Sequence, residues 1–168
     1  MGTDQLQYFI KGVLIGIFFK FEKNHFMNYL SSIKKNPLFL DIVLLIVRIF
    51  VGFAMISHGF PKLQQLFSGE VIEFYNLFGI GEKLTLILAV FAEFVCSIFL
   101  ILGLFTRLSL IFLFVAMFVA GFLVHGSDPF AKREMSLLYL SIFTVLLATG
   151  PGKFSVDAMI TKRRESRW

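Results

Sequence analysis

Residues 84–105 read LTLILAVFAEFVCSIFLILGLF, an apolar run broken by one charge, Glu93. A bilayer-spanning helix needs about 20 predominantly apolar residues. This stretch therefore reads as a transmembrane helix with an ionisable group near its middle. Its neighbours repeat the pattern: residues 39–56 are interrupted by Arg48, and residues 108–124 carry no charge. Residues 135–149 end at Gly150-Pro151-Gly152, a strong helix breaker. Four spans follow, and with them an all-α, polytopic four-helix membrane bundle.

The whole chain agrees with its decisive stretch. Of its 168 residues, 57% are hydrophobic and 16% charged, with a mean hydropathy of +0.82. Soluble domains run nearer ~45–50% apolar and ~25% charged. The excess excludes a soluble domain, and disordered chains deviate in the opposite direction. No large catalytic domain fits outside the bilayer. Cys96 is the one cysteine, so no internal disulfide, C-x-x-C pair or thiolate cluster can form. Any redox role must borrow its electron carrier, and no covalently bound cofactor is expected.

The basic residues read as topology. Lys11, Lys20, Lys23, Lys34 and Lys35 precede the first span; Lys153, Lys162, Arg163, Arg164 and Arg167 follow the fourth. Positive charge beside apolar spans marks cytoplasmic ends and anionic-lipid contact rather than nucleic-acid binding. Arg107, between spans two and three, joins them, so both termini are expected in the cytoplasm. Leu6, Phe9, Ile10, Val13, Leu14, Ile17, Phe18 and Phe21 keep the helical i, i+3, i+4 rhythm. Lys11 and Lys20 leave that run too short to cross, so residues 6–21 read as an amphipathic helix lying on the membrane, with a fifth span as the alternative, inside an N-terminal segment 1–37 on the cytoplasmic side. Residues 38–152 form the membrane domain and 153–168 a basic cytoplasmic tail. In the outer loop, residues 59–83, apolar side chains including Phe74, Tyr75 and Phe78 give enough surface to lie against the membrane or to cap the bundle.

Intramembrane charges are costly and mark function or structure by default. Arg48 and Glu93 each sit near a span centre, and in antiparallel helices they are expected to pair as a buried ion pair fixing helix register. Asp41, Arg48, Gly52, Met55, Gly59 and Lys62 fall on one helical stripe. Thr85, Ala89, Ala92, Glu93, Cys96 and Gly103 form a small-residue side on span two, suited to close helix approach. Ser141, Thr144 and Ala148 suggest an inward stripe on span four. At the outer ends His58, Lys62, His125 and Glu134 converge as a candidate quinone or proton site. Their spacing matches no metal-ligand pattern.

Taken together, Arg48, His58-Gly59-Phe60-Pro61-Lys62, Glu93, Gly103-Leu104-Phe105-Thr106-Arg107, His125, Glu134, Leu138-Tyr139, Gly150-Pro151-Gly152, Ser155 and Asp157 resemble the DoxX family of small four-helix membrane proteins. The resemblance covers about residues 40–157. It implies a bundle in the bacterial or archaeal cytoplasmic membrane and a link to quinone-coupled redox chemistry. On that basis the chain is expected to be a membrane subunit of a quinone-linked oxidoreductase complex, rather than a complete enzyme. The quinone would be its cofactor, and other subunits or further copies of the chain would be its partners. A non-enzymatic accessory subunit and a small-solute or proton transporter are the alternatives.

Overall fold

The computed structural model describes residues 37–69 and 71–165. The expected interfacial helix before residue 37 lies outside them. Among the described residues the secondary structure is entirely helical. Helix α1 spans Pro37–Phe67, α2 Glu82–Leu102, α3 Thr106–Val124, α4 Phe130–Thr149 and α5 Val156–Glu165. The first three are long and apolar enough to cross a membrane. Helix α4 carries Lys132, Arg133 and Glu134 in its first turns, which shortens its apolar part.

Helices α1 to α4 all contribute to one core. Val51 and Met55 of α1, Cys96 and Leu100 of α2, Leu110 and Leu113 of α3, and Phe143 and Leu146 of α4 are fully buried together. Many of the 23 Phe face outward instead, Phe50, Phe53 and Phe118 among them. An apolar exterior, with the few charged side chains of the spans such as Arg48 and Glu93 turned inward, is the arrangement a lipid solvent favours.

Both helix-facing stripes expected on α1 and α2 are inward. Asp41, Arg48, Gly52, Met55 and Gly59 are buried, as are Thr85, Ala92, Glu93, Cys96 and Gly103. Glycine matters where α1 meets α2. A methyl group added at Gly59 would lie 2.9 Å from the Glu93 carbonyl carbon and the Phe94 nitrogen, backbone atoms that cannot swing aside. Gly59→Ala is therefore expected to cost about 1–3 kcal/mol through forced separation of the helices. Thermal unfolding in detergent checks this; an unchanged Tm would show that the helices do not need this approach.

Two expectations are corrected. Helix α1 does not stop at Ile56 but runs through Pro61 to Phe67. Pro61 removes one backbone donor, yet its fixed φ suits a helix, and the packing of Gly59 and Lys62 against α2 holds the turn. Ser141, Thr144 and Ala148 are exposed, not inward. The Ser141 and Thr144 hydroxyls donate to the carbonyls of Leu137 and Leu140, at 2.9 and 2.7 Å. A hydroxyl satisfied within its own helix can face lipid, so it does not report the buried side.

Candidate functional site

Glu93 lies inside a π-helical turn of α2, Phe91–Val95, where the Cys96 amide donates to Phe91 five residues back. The Ser97 hydroxyl takes up the Glu93 carbonyl at 2.7 Å. Helix α3 ends in a second π segment, Val119–Val124, closed by the His125 amide donating to Ala120. Such turns insert a residue and recur at functional sites. Both line the same space.

That space is a cavity of about 820 Å³. Helices α2 and α3 supply most of its lining, and Phe74, Tyr75 and Leu77 of the α1–α2 connection line it as well. That connection is tied down by Leu77 N–H donating to Thr85 Oγ1 at 3.3 Å and Gly81 N–H donating to Asn76 Oδ1 at 2.9 Å. Gly79 and Gly81, both at positive φ, make the turn into α2. The lining is mostly apolar; its ionisable side chains are Lys62, Glu73, Glu93 and His125.

The ion pair in this cavity is Lys62–Glu93. The Lys62 ammonium donates to both carboxylate oxygens of Glu93, at 2.6 Å to Oε2. The Glu93 side chain is 3% exposed and that of Lys62 29%, so the pair reaches from the rim to the interior. Two of the three ammonium protons are thereby committed. The Phe74 ring centroid stands 5.8 Å from Nζ, within cation–π range.

His125 also lines the cavity, and its Nδ1 lies 2.9 Å from Asp128 Oδ2. Asp128 sits in the α3–α4 connection, with Lys132 Nζ at 3.7 Å. Its hydrogen bond with His125, assisted by the charge of Lys132, holds its carboxyl below the usual aspartate range. That contact fixes the imidazole and leaves Nε2 as the nitrogen free for another partner.

The expected pairing of Arg48 with Glu93 does not form. Gly59, not Arg48, stands level with Glu93. Arg48 is eleven residues earlier, about 16 Å along the helix at 1.5 Å per residue. Arg48 is 1% exposed, and its guanidinium donates to the Pro151 carbonyl and, at 2.6 Å, to the Phe154 carbonyl. The same end of the bundle is tied by Asp157, whose carboxylate accepts from the Phe105 and Thr106 amides at 2.9 Å each. Asp41 accepts from the Lys153 amide at 3.0 Å. Gly103, at φ +69°, leaves no room for a Cβ between Arg48 and Ser155. This is a clasp that binds the segment after α4 to helices α1 to α3.

Of the four residues expected at the outer site, the cavity gathers two, Lys62 and His125. His58 does not line it; the ring meets Tyr139 of α4 edge-on, centroids 5.8 Å apart. One residue on an α-helix turns 100°, so while Gly59 faces α2, His58 faces α4. Glu134 is exposed and also off the cavity. Ser136 faces Gly121 of α3, which places Glu134, two residues away, on the far side of α4. Sequence reasoning missed Glu73 as a lining residue and both π segments. No residue pattern announces a π turn.

Comparison with known proteins agrees with this architecture. Residues 43–126 match the DoxX family model. An uncharacterized protein of Haemophilus influenzae is 32% identical over 137 residues, covering 77% of this chain and 96% of its own length. The inner membrane protein YphA of Escherichia coli is 32% identical over 125 residues, covering 69% and 89%. No solved structure matches the chain. The family match includes Arg48, Lys62, Glu93, Gly103 and His125, which hold the clasp and the cavity. This protein belongs to the DoxX family of membrane proteins.

Proposed function

We propose that the cavity binds the headgroup of a quinone and that the chain serves as the membrane subunit of a quinone-linked oxidoreductase. One observation carries the reading: Lys62, Glu93 and His125, far apart in sequence, line one apolar cavity bordered by two π segments. The residues fit a neutral headgroup with two carbonyl oxygens. Because Lys62 and Glu93 neutralise each other, the pair offers a hydrogen bond without net charge. The third ammonium proton of Lys62 would donate to one oxygen, and His125, as an imidazolium with Nδ1–H on Asp128, would donate from Nε2 to the other. A bound quinone supplies an acceptor for two electrons and two protons, the electrons arriving from a donor on a partner subunit. On reduction, His125 as an imidazolium tied to Asp128 near the surface would pass its Nε2 proton to that oxygen, and Lys62 would pass its free ammonium proton to the other. Apolar walls around the buried Glu93 carboxylate lower the local dielectric and strengthen its hydrogen bonds. Orientation with both termini in the cytoplasm, inferred from the flanking lysines and arginines, places this end toward the outer leaflet.

Titration of purified protein with a short-chain benzoquinone tests the reading. Wild type is expected to bind saturably, and His125→Ala to weaken binding about tenfold, the worth of one good hydrogen bond to a buried group. Glu134→Gln and His58→Ala, both off the cavity, should bind as wild type does. Absence of saturable binding in wild type would end the headgroup reading and favour an accessory, non-enzymatic subunit.

A further inference from the structure

Helix α5 contributes nothing to the cavity, and none of its residues lines it. It starts where two spans meet. Ser155, 2% exposed, caps it by accepting from the Ala158 amide at 3.1 Å. The Asp157 amide donates to the Gly103 carbonyl at 2.9 Å, and its carboxylate accepts from Phe105 and Thr106. Residues 103–105 are the turn between α2 and α3. These bonds therefore fix the start of α5 at the level where the apolar spans end. That level is the boundary between hydrocarbon and headgroups.

Beyond its first turn the helix is sorted by face. Val156, Met159, Ile160 and Arg163 follow the i, i+3, i+4, i+7 spacing and share one side. Lys162 and Arg164 flank that side, Thr161 and Glu165 lie opposite it, and Asp157 is turned to the α2–α3 connection. Met159 is 63% exposed and Ile160 42%, so the bundle does not cover this face. Basic residues in a last turn complement the helix dipole and alone point to no ligand. Positive charge that only sets topology, likewise, does not need apolar side chains exposed among it. Apolar residues between flanking lysine and arginine are instead the pattern of helices that lie in the headgroup layer. Arg107 and Lys153 are exposed at the same end of the bundle, which extends the positive charge beyond α5.

We propose that α5 docks on the surface of the surrounding bilayer and recognises anionic phospholipid. Met159 and Ile160 enter the acyl boundary, and Lys162 and Arg164, on long flexible stems to either side, reach the phosphates. The partner is thus a lipid surface of net negative charge, which the basic side of α5 complements and its acids, Asp157 and Glu165, avoid. Because Ser155 and Asp157 already hold the start of the helix, docking has only a short segment left to order. This inference stands apart from the quinone reading and shares no residue with it.

Site-specific fluorescence of the full chain in nanodiscs tests it. Cys96 is 1% exposed, so a thiol-reactive fluorophore goes to an introduced cysteine. Met159→Cys carries it on the docking face and Thr161→Cys on the opposite one. With spin-labelled lipid in phosphatidylglycerol nanodiscs, the label at position 159 is expected to be quenched and that at position 161 not. In phosphatidylcholine alone the quenching at 159 should fall away. Lys162→Gln with Arg164→Gln should lower the docked-to-free ratio about thirtyfold, about fivefold for each basic residue. Equal quenching at 159 in both lipids would overturn the headgroup recognition. Equal quenching at both positions, or none at either, would overturn the docked face. A label at 159 that lipid does not quench and aqueous iodide cannot reach would assign the face to a protein partner and overturn the proposal as well.

Discussion

Lys62→Leu is expected to destabilise the bundle by about 3–5 kcal/mol, because removing one partner of a buried ion pair strands the other charge. Glu93 is 3% exposed and accepts both its hydrogen bonds from Lys62. Leucine supplies no donor, and the π turn leaves the carboxylate facing an apolar cavity. The double variant Lys62→Leu with Glu93→Leu should recover most of the loss, since neither charge then remains to be desolvated. Unfolding by denaturing detergent, with both variants against wild type, gives the comparison. Equal stability of Lys62→Leu and wild type would mean that the pair does not hold α1 to α2. A double variant that folds yet binds no quinone would separate the pair's structural role from its part in the site.

Arg48→Leu is expected to release the segment after α4 at a cost of similar size. The guanidinium holds the Pro151 and Phe154 carbonyls at once. A hydrogen bond to a charged group contributes about 1.5–3 kcal/mol, and an orphaned buried carbonyl costs about 1–3 kcal/mol. A loss of about 3–5 kcal/mol follows, which the Asp157 and Asp41 bonds offset only in part. Limited trypsin digestion reads it directly: Lys153 should become a fast cleavage site in Arg48→Leu and stay protected in wild type. Arg48→Lys should protect little, because a single ammonium on a different stem lacks the planar fork that reaches two carbonyls. Unchanged digestion of Arg48→Leu would overturn the clasp.

The candidate site was partly legible before any fold was known. Lys62, Glu93 and His125 stand out as polar groups in or beside apolar runs, where desolvation makes an accidental charge expensive. Their grouping was less legible. Arg48 looked the natural partner for Glu93 because depth was counted from a first helix ending at Ile56. The helix continues to Phe67, which shifts every depth along it. His58 and Glu134 satisfied the same chemical criterion as His125, but rotation about their helices turns them elsewhere.

What the sequence by itself determined is the set of apolar runs, their turns at Gly79-Ile80-Gly81 and Gly150-Pro151-Gly152, and which stripes of α1 and α2 face inward. These depend on hydropathy and 3.6-residue periodicity, which are local properties of the chain. Only the tertiary structure decided which charges meet, which polar side chains line the cavity and what holds the segment after α4. Those depend on helix length, on rotation by single residues and on π turns that add a residue without a sequence signal. An ion pair needs two side chains within about 4 Å, and a register error of one helical turn, about 5.4 Å, is enough to exchange one partner for another.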